Sequence, residues 1–185
     1  MTPRNAARLR IGAVLLTGIV VQTTLAPDLR LAGVAPDLML LLAICGGLAG
    51  GAGGGAVTGF AAGLLADLWL TDTPVGLSAL TWCIVGFAVG TLRSNVLPES
   101  RWLATVMAAG ATVAGVLAFV VLGDVVGQSQ LLIGGRSWLL RVVVLEAAWA
   151  AVLSWPVSRL FEWAARGSDG AAELGRGRPD RLAVR

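Results

Sequence analysis

The sequence predicts an all-α integral membrane protein, a six-helix transmembrane bundle, and three observations carry that reading. Of 185 residues, 56% are hydrophobic and 14% charged, with a mean hydropathy of +0.80. One soluble core of this size cannot hide so much apolar surface, so the remainder has to meet lipid. The apolar runs at 11–26, 38–66, 75–92, 102–123 and 138–163 mostly reach the ~20 residues a helix needs to cross ~30 Å of hydrocarbon. Finally, all 14 basic residues are arginines, gathered at the two ends and around one middle segment.

Taken in order, the first span is expected over 10–26. Arginines ahead of an apolar stretch give it the look of a signal peptide, but Pro27 directly after Ala26 is a poor cleavage context, and further spans follow. The run 38–66 is long for one upright helix and short for two, and charge bias decides between them. If 46–55 turns the chain back, spans at 36–50 and 53–70 result. Arg4, Arg8, Arg10, Arg93, Arg101, Arg159, Arg166, Arg176, Arg178, Arg181 and Arg185 then share one side, leaving Arg30, Arg136 and Arg141 on the other. As a single tilted helix, the run would split the arginines five against nine and translocate the six C-terminal ones. The positive-inside rule selects six spans with both termini in the cytoplasm, and glycine suits a tight reversal.

The remaining spans are expected at 75–92, 102–123 and 138–163, followed by a Gly-, Arg- and Asp-rich segment, 164–185, that reads as a disordered cytoplasmic tail. Trp69 and Trp138 fall near outer span ends and Trp102 and Trp163 near inner ones, where indole rings fit the headgroup boundary. Trp82, Trp149 and Trp155 fall deeper and read as packing residues. The segment 124–136 is the longest outer loop and contains Leu131-Leu132-Ile133, suited to the membrane surface or to a periplasmic partner.

Composition also removes function classes. With no histidine, lysine or tyrosine, the commonest general bases, metal ligands and Schiff-base nucleophiles are missing. Cys45 and Cys83 lie inside apolar runs, where a thiol acts as a small hydrophobe. The glycine cluster 46–55 has no following lysine and no preceding strand, so it is not a phosphate loop. The charge-poor stretch 11–163 cannot form a phosphate-binding face despite the high pI, which argues against nucleic acid. The expectation is therefore no catalytic residue, no metal and no cofactor.

What remains are packing residues and buried charges. Gly55, Gly59 and Gly63 recur every four residues, and Gly86 and Gly90 repeat the spacing once. Such stripes let helices approach closely, either within the bundle, the simpler reading, or at a docking face for a partner helix. Asp67 continues the series one step further and needs a partner, for which Arg141 and Arg30 are the candidates. Asp37, after Pro36, is placed to accept from free amides at a helix N-terminus. Glu146 is the deepest charge, five residues or ~7.5 Å below Arg141. It reads as a structural acid bonded to Gln22, Thr17 or another bundle residue, with a proton or substrate relay as the functional alternative.

The first half of the chain, roughly residues 10 to 92, resembles the rod shape-determining protein MreD family. The likeness rests on Gln22-Thr23-Thr24-Leu25 ending the first span and on Pro36-Asp37-Leu38-Met39-Leu40-Leu41 opening the second. It continues through Gly55, Thr58-Gly59-Phe60, Gly63-Leu64-Leu65 and Asp67, with Gly76, Leu80 and Gly86 beyond. The resemblance implies a multi-pass scaffold of the bacterial cell-elongation machinery, in contact with membrane lipids. It also implies association with an MreC-like single-span protein, coupling of MreB filaments to wall synthases, and a bundle similar to S components of vitamin transporters. The family's inner loop would be expected to carry a basic residue that the glycine-rich reversal here lacks. A rival reading from another class is a substrate-binding subunit of a small-molecule transporter, motivated by the span count and by Asp67, Arg141 and Glu146.

Overall fold

The computed structural model describes residues 3–69, 75–96, 101–127 and 135–165. They form five helices: α1 (Pro3–Thr24), α2 (Leu38–Trp69), α3 (Leu77–Val96), α4 (Arg101–Val125) and α5 (Gly135–Ala165). All five are long and apolar enough to cross a membrane. The first two residues of the expected segment 164–185 belong to α5; residues 166–185 and Leu131-Leu132-Ile133 lie outside the described residues.

The helix count corrects the expectation of six. The spans anticipated at 36–50 and 53–70 are one element, because helical hydrogen bonding resumes directly after a single non-helical residue, Gly51 (φ 66°, ψ −168°), with no linker between the limbs. That residue nonetheless turns the chain on itself. A Cβ on Gly46 would lie 2.6 Å from Thr58 Cβ, and one on Gly55 would lie 2.7 Å from Gly47 Cα. In a straight helix Gly46 and Thr58, twelve residues apart, would be separated by ~18 Å.

The first limb of α2 is the centre of the molecule. Every residue from Met39 to Leu48 is buried, as befits a helix that is apolar on all sides. α1 lies against it at Gly18, which faces Leu42 and Met39. α3 packs along both limbs, and α1, α4 and α5 leave large apolar side chains such as Leu16, Val121, Val144 and Val152 exposed on the outside, as does the outer face of α3 at Ile84 and Phe87. Polar side chains that lack outside partners bond within their own helix, as Thr81 and Thr112 do to the carbonyls of Leu77 and Ala108.

The two ends of the bundle can be told apart. Gln22 and Glu146 meet the start of α2, and Asp67 meets the start of α3, at one end. At the Gly51 end, Gly90 of α3 lies against Gly51 and Ala52, and Arg10 of α1 stacks 5.3 Å from the Trp163 ring of α5. Trp69, Trp138, Trp102 and Trp163 are all exposed, and Trp82 is buried. Trp155, anticipated as a packing residue, is instead 59% exposed. It stacks with Arg159 at 5.0 Å, one turn along the same helix, because its face of α5 points away from the other helices.

Candidate functional site: capped helix starts and a glycine seam

Two structural devices use nearly all of the residues singled out in the sequence. The first is the α2–α3 seam. Cβ positions built on Gly55 and Gly47 run into the Gly86 carbonyl, that of Gly59 into the Trp82 carbonyl, and that of Gly63 into the backbone of Ala79. Those of Gly86 and Gly90 run into the backbones of Gly55 and of Gly51 and Ala52. Both limbs of α2 and the length of α3 thus touch backbone to backbone, a separation that only glycine permits. The stripe is filled from within the chain. Gly46, Gly47 and Thr58 belong to the same contact and escape a reading of the regular series, because the reversal at Gly51 brings them in from the other limb.

The second device is the set of caps at the end opposite Gly51. An α-helix begins with four amides that have no intrahelical acceptor. At the start of α2, all four find side chains. Asp37 N donates to Glu146 Oε2 (3.2 Å), Leu38 N to Gln22 Oε1 (2.8 Å), and Met39 N and Leu40 N to Asp37 Oδ1 (3.1 and 3.0 Å). Gln22 Nε2 also donates to the Pro36 carbonyl (3.0 Å), so this amide ties α1 to the entry of α2 with both of its polar ends. The fifth amide, Leu41 N, reaches the Asp37 carbonyl and starts the regular ladder. Three residues far apart in sequence, Gln22, Asp37 and Glu146, therefore converge on one helix start. The donor to Glu146 is the Asp37 amide rather than Gln22 or Thr17, because a helix start surrounded by protein cannot give its amides to water.

Asp67 does the same for α3. Its carboxylate accepts from Gly76 N (2.8 Å), Ser78 N (3.2 Å) and Ala79 N (3.1 Å), and the residue is 2% exposed. The anticipated partners, Arg141 and Arg30, are not used: both are exposed. The physical reason is that a helix N-terminus presents several fixed donors and a positive dipole end in one place, with no arginine side chain to bury. Asp67 is thus both the end of the glycine stripe and the clamp that sets where α3 begins.

Between the two capped starts lies a cavity of about 320 Å³, bounded also by α4 at Gly115, Val116 and Phe119 and by α5 at Val142. Sequence periodicity does not mark it, because its wall takes between one and three residues from each of the five helices and Asp37 from the residue before α2. Comparison with characterised proteins and with solved structures gives no match. The sequence profile of the rod shape-determining protein MreD family matches residues 4–163, and the chain therefore belongs to that family, a multi-pass membrane protein with a role in determining rod shape.

Proposed function

We propose that the chain is a non-enzymatic scaffold subunit of the cell-elongation complex, joining an MreC-like single-span protein, MreB filaments and wall synthases through its membrane-embedded surface. Membership of the family carries this reading. It is supported by the way the internal chemistry is spent. The glycine seam and the carboxylates of Asp67, Asp37 and Glu146 serve the bundle's own helix contacts and helix starts. Large apolar side chains of α1, α4 and α5 face outward, where lipid or partner helices can cover them.

In this reading the two limbs of α2 are separate passes, giving six crossings with both termini in the cytoplasm. The Gly46–Thr58 approach and the stacking of Arg10 on Trp163 support it, as does the excess of arginines that this arrangement puts on the Gly51 side. The first limb, 38–50, is only ~20 Å long and the second, 52–69, ~27 Å. A limb too short to reach the headgroups begins inside the bundle, which accounts for the side-chain caps on its four amides.

The test is affinity purification of the full chain from its native membrane, together with depletion in growing cells. The expected result is a stoichiometric single-span partner and rounding of the cells. A clean monomer and unaltered cell shape on depletion would refute the scaffold role.

A further inference from the structure

The cavity at the end opposite Gly51 has a volume of about 320 Å³, at the lower end of the range for small-molecule sites. Trp82, Leu40, Val116 and Phe119 form much of its apolar wall; Gln22, Asp37 and Ser78 supply the polar part.

Two helix N-termini aimed at one space would ordinarily suit an anion. Here that possibility is already closed. The first amides of α2 are taken by Glu146, Gln22 and Asp37, and those of α3 by Asp67. Gln22 has committed both ends of its amide. Three polar groups on the lining side chains are left over: the second carboxylate oxygen of Asp37, the hydroxyl of Ser78 and the indole N–H of Trp82 have no hydrogen-bond partner among the described residues, and the first two are acceptors. Ser78 is only 6% exposed, so its hydroxyl faces the cavity instead of water. A buried hydroxyl and a free carboxylate oxygen in an otherwise apolar space call for a ligand that donates hydrogen bonds.

We propose that the cavity is a binding site for a small amphiphile with a protonated amine head, held by Asp37 and Ser78, and an apolar body packed on Trp82 and Phe119. The same chemistry is offered by a free apolar amine and by the amine headgroup of a membrane lipid, and the test separates the two.

The full-length protein in neutral detergent is unfolded thermally in the presence of phenethylamine, phenethyl alcohol or 3-phenylpropionate. Parallel samples receive short-chain phosphatidylethanolamine or phosphatidylglycerol. The expected result is a saturable rise in the unfolding midpoint with an amine-bearing probe, a weaker rise with the alcohol and none with the anions. Phenethylamine acting alone identifies a free amine as the ligand; phosphatidylethanolamine acting alone identifies the lipid. Asp37→Asn, which can still cap α2, is expected to weaken binding about tenfold or more, in line with loss of a charged hydrogen bond. Val116→Phe, which fills the cavity and touches no polar group, is expected to abolish binding. Equal shifts from amine and anion, or shifts that survive both substitutions, overturn the proposal, as does the absence of any shift from either amine-bearing probe.

Discussion

The reversal in α2 depends on one backbone conformation, and a single methyl group tests it. Gly51 has φ 66° and ψ −168°, a combination that residues with a Cβ adopt only at a cost of about 1–3 kcal/mol. A Cβ at Gly51 would meet nothing within 4 Å, so Gly51→Ala carries no clash, and its backbone strain is offset only by the freedom that alanine removes from the unfolded chain. Gly50 and Gly53 supply the control. Each is exposed, each is helical without a positive φ, and a Cβ on either would also meet open space. At those positions alanine removes the freedom glycine has in the unfolded chain and should stabilise by about 0.5–1 kcal/mol. The unfolded-state gain is common to all three variants, so they should split by the strain alone, about 1–3 kcal/mol, with Gly51→Ala the least stable and the other two above the parent. Reversible unfolding of the purified full chain in mixed micelles, titrated with a denaturing detergent, reads that difference. If Gly51→Ala is as stable as Gly50→Ala, the left-handed turn is not what folds α2 back, and the six-crossing reading loses its hinge.

Four other outcomes follow from the contacts. Gly63→Ala pushes a methyl into the backbone of Ala79 and should cost about 1–3 kcal/mol in the same assay, whereas Gly110→Ala, which meets nothing, should not destabilise. Asp67→Ala strands three amides at the start of α3 and should cost about 2–4 kcal/mol; Asp67→Asn, which keeps one acceptor oxygen for Gly76 N and Ala79 N but turns an NH2 toward Ser78 N, should lose less. Glu146→Gln keeps a carbonyl oxygen for the Asp37 amide and should insert, fold and support rod shape in a complementation assay; loss of shape with normal insertion would reveal a relay role for the acid. A fluorescent-protein fusion at the C-terminus should fluoresce, and alkaline phosphatase joined after Val125 should be active, the reverse pattern excluding cytoplasmic termini.

The parts of the fold that could be read from sequence are those where a regular spacing meets a continuous surface. The four-residue series Gly55, Gly59, Gly63 is such a spacing, and these glycines lie along the α2–α3 seam. What the spacing could not supply is the identity of the neighbour, since Gly86 and Gly90 lie on α3 with no sequence cue pairing them to α2. Nor could it reveal that Gly47, two steps back in the series, touches Gly86 from the opposite limb. That contact exists only after the turn at Gly51. Asp67 is harder to read for a different reason: side-chain charges point to arginines, whereas the orphan amides of a helix start nine residues ahead carry no mark in the sequence. Exposed Arg141 and Arg30 show how that pairing rule fails near a span end, where long cationic side chains extend to water on their own.

The capped helix starts and the cavity share one physical origin. α2 begins inside the bundle, so Pro36 and the four amides after it cannot be hydrated and must be met by side chains from α1, α5 and Asp37 itself. Drawing Gln22 and Glu146 to that point holds α1 and α5 to a backbone position rather than to apolar side chains, and the space over the helix start is left for α4 to close with Gly115, Val116 and Phe119. Gly115 lets α4 approach closely there, because a Cβ at that position would lie 3.1 Å from Leu40 Cδ1. The α2–α3 seam has the opposite character: from Gly90 against Gly51 to Gly63 against Ala79, backbones are in contact with no room between them. A bundle tight along this seam and hollow between the two capped helix starts responds differently to change in its two parts: substitutions of the seam glycines should act on stability, and substitutions around Ser78 and Phe119 on what the cavity accepts.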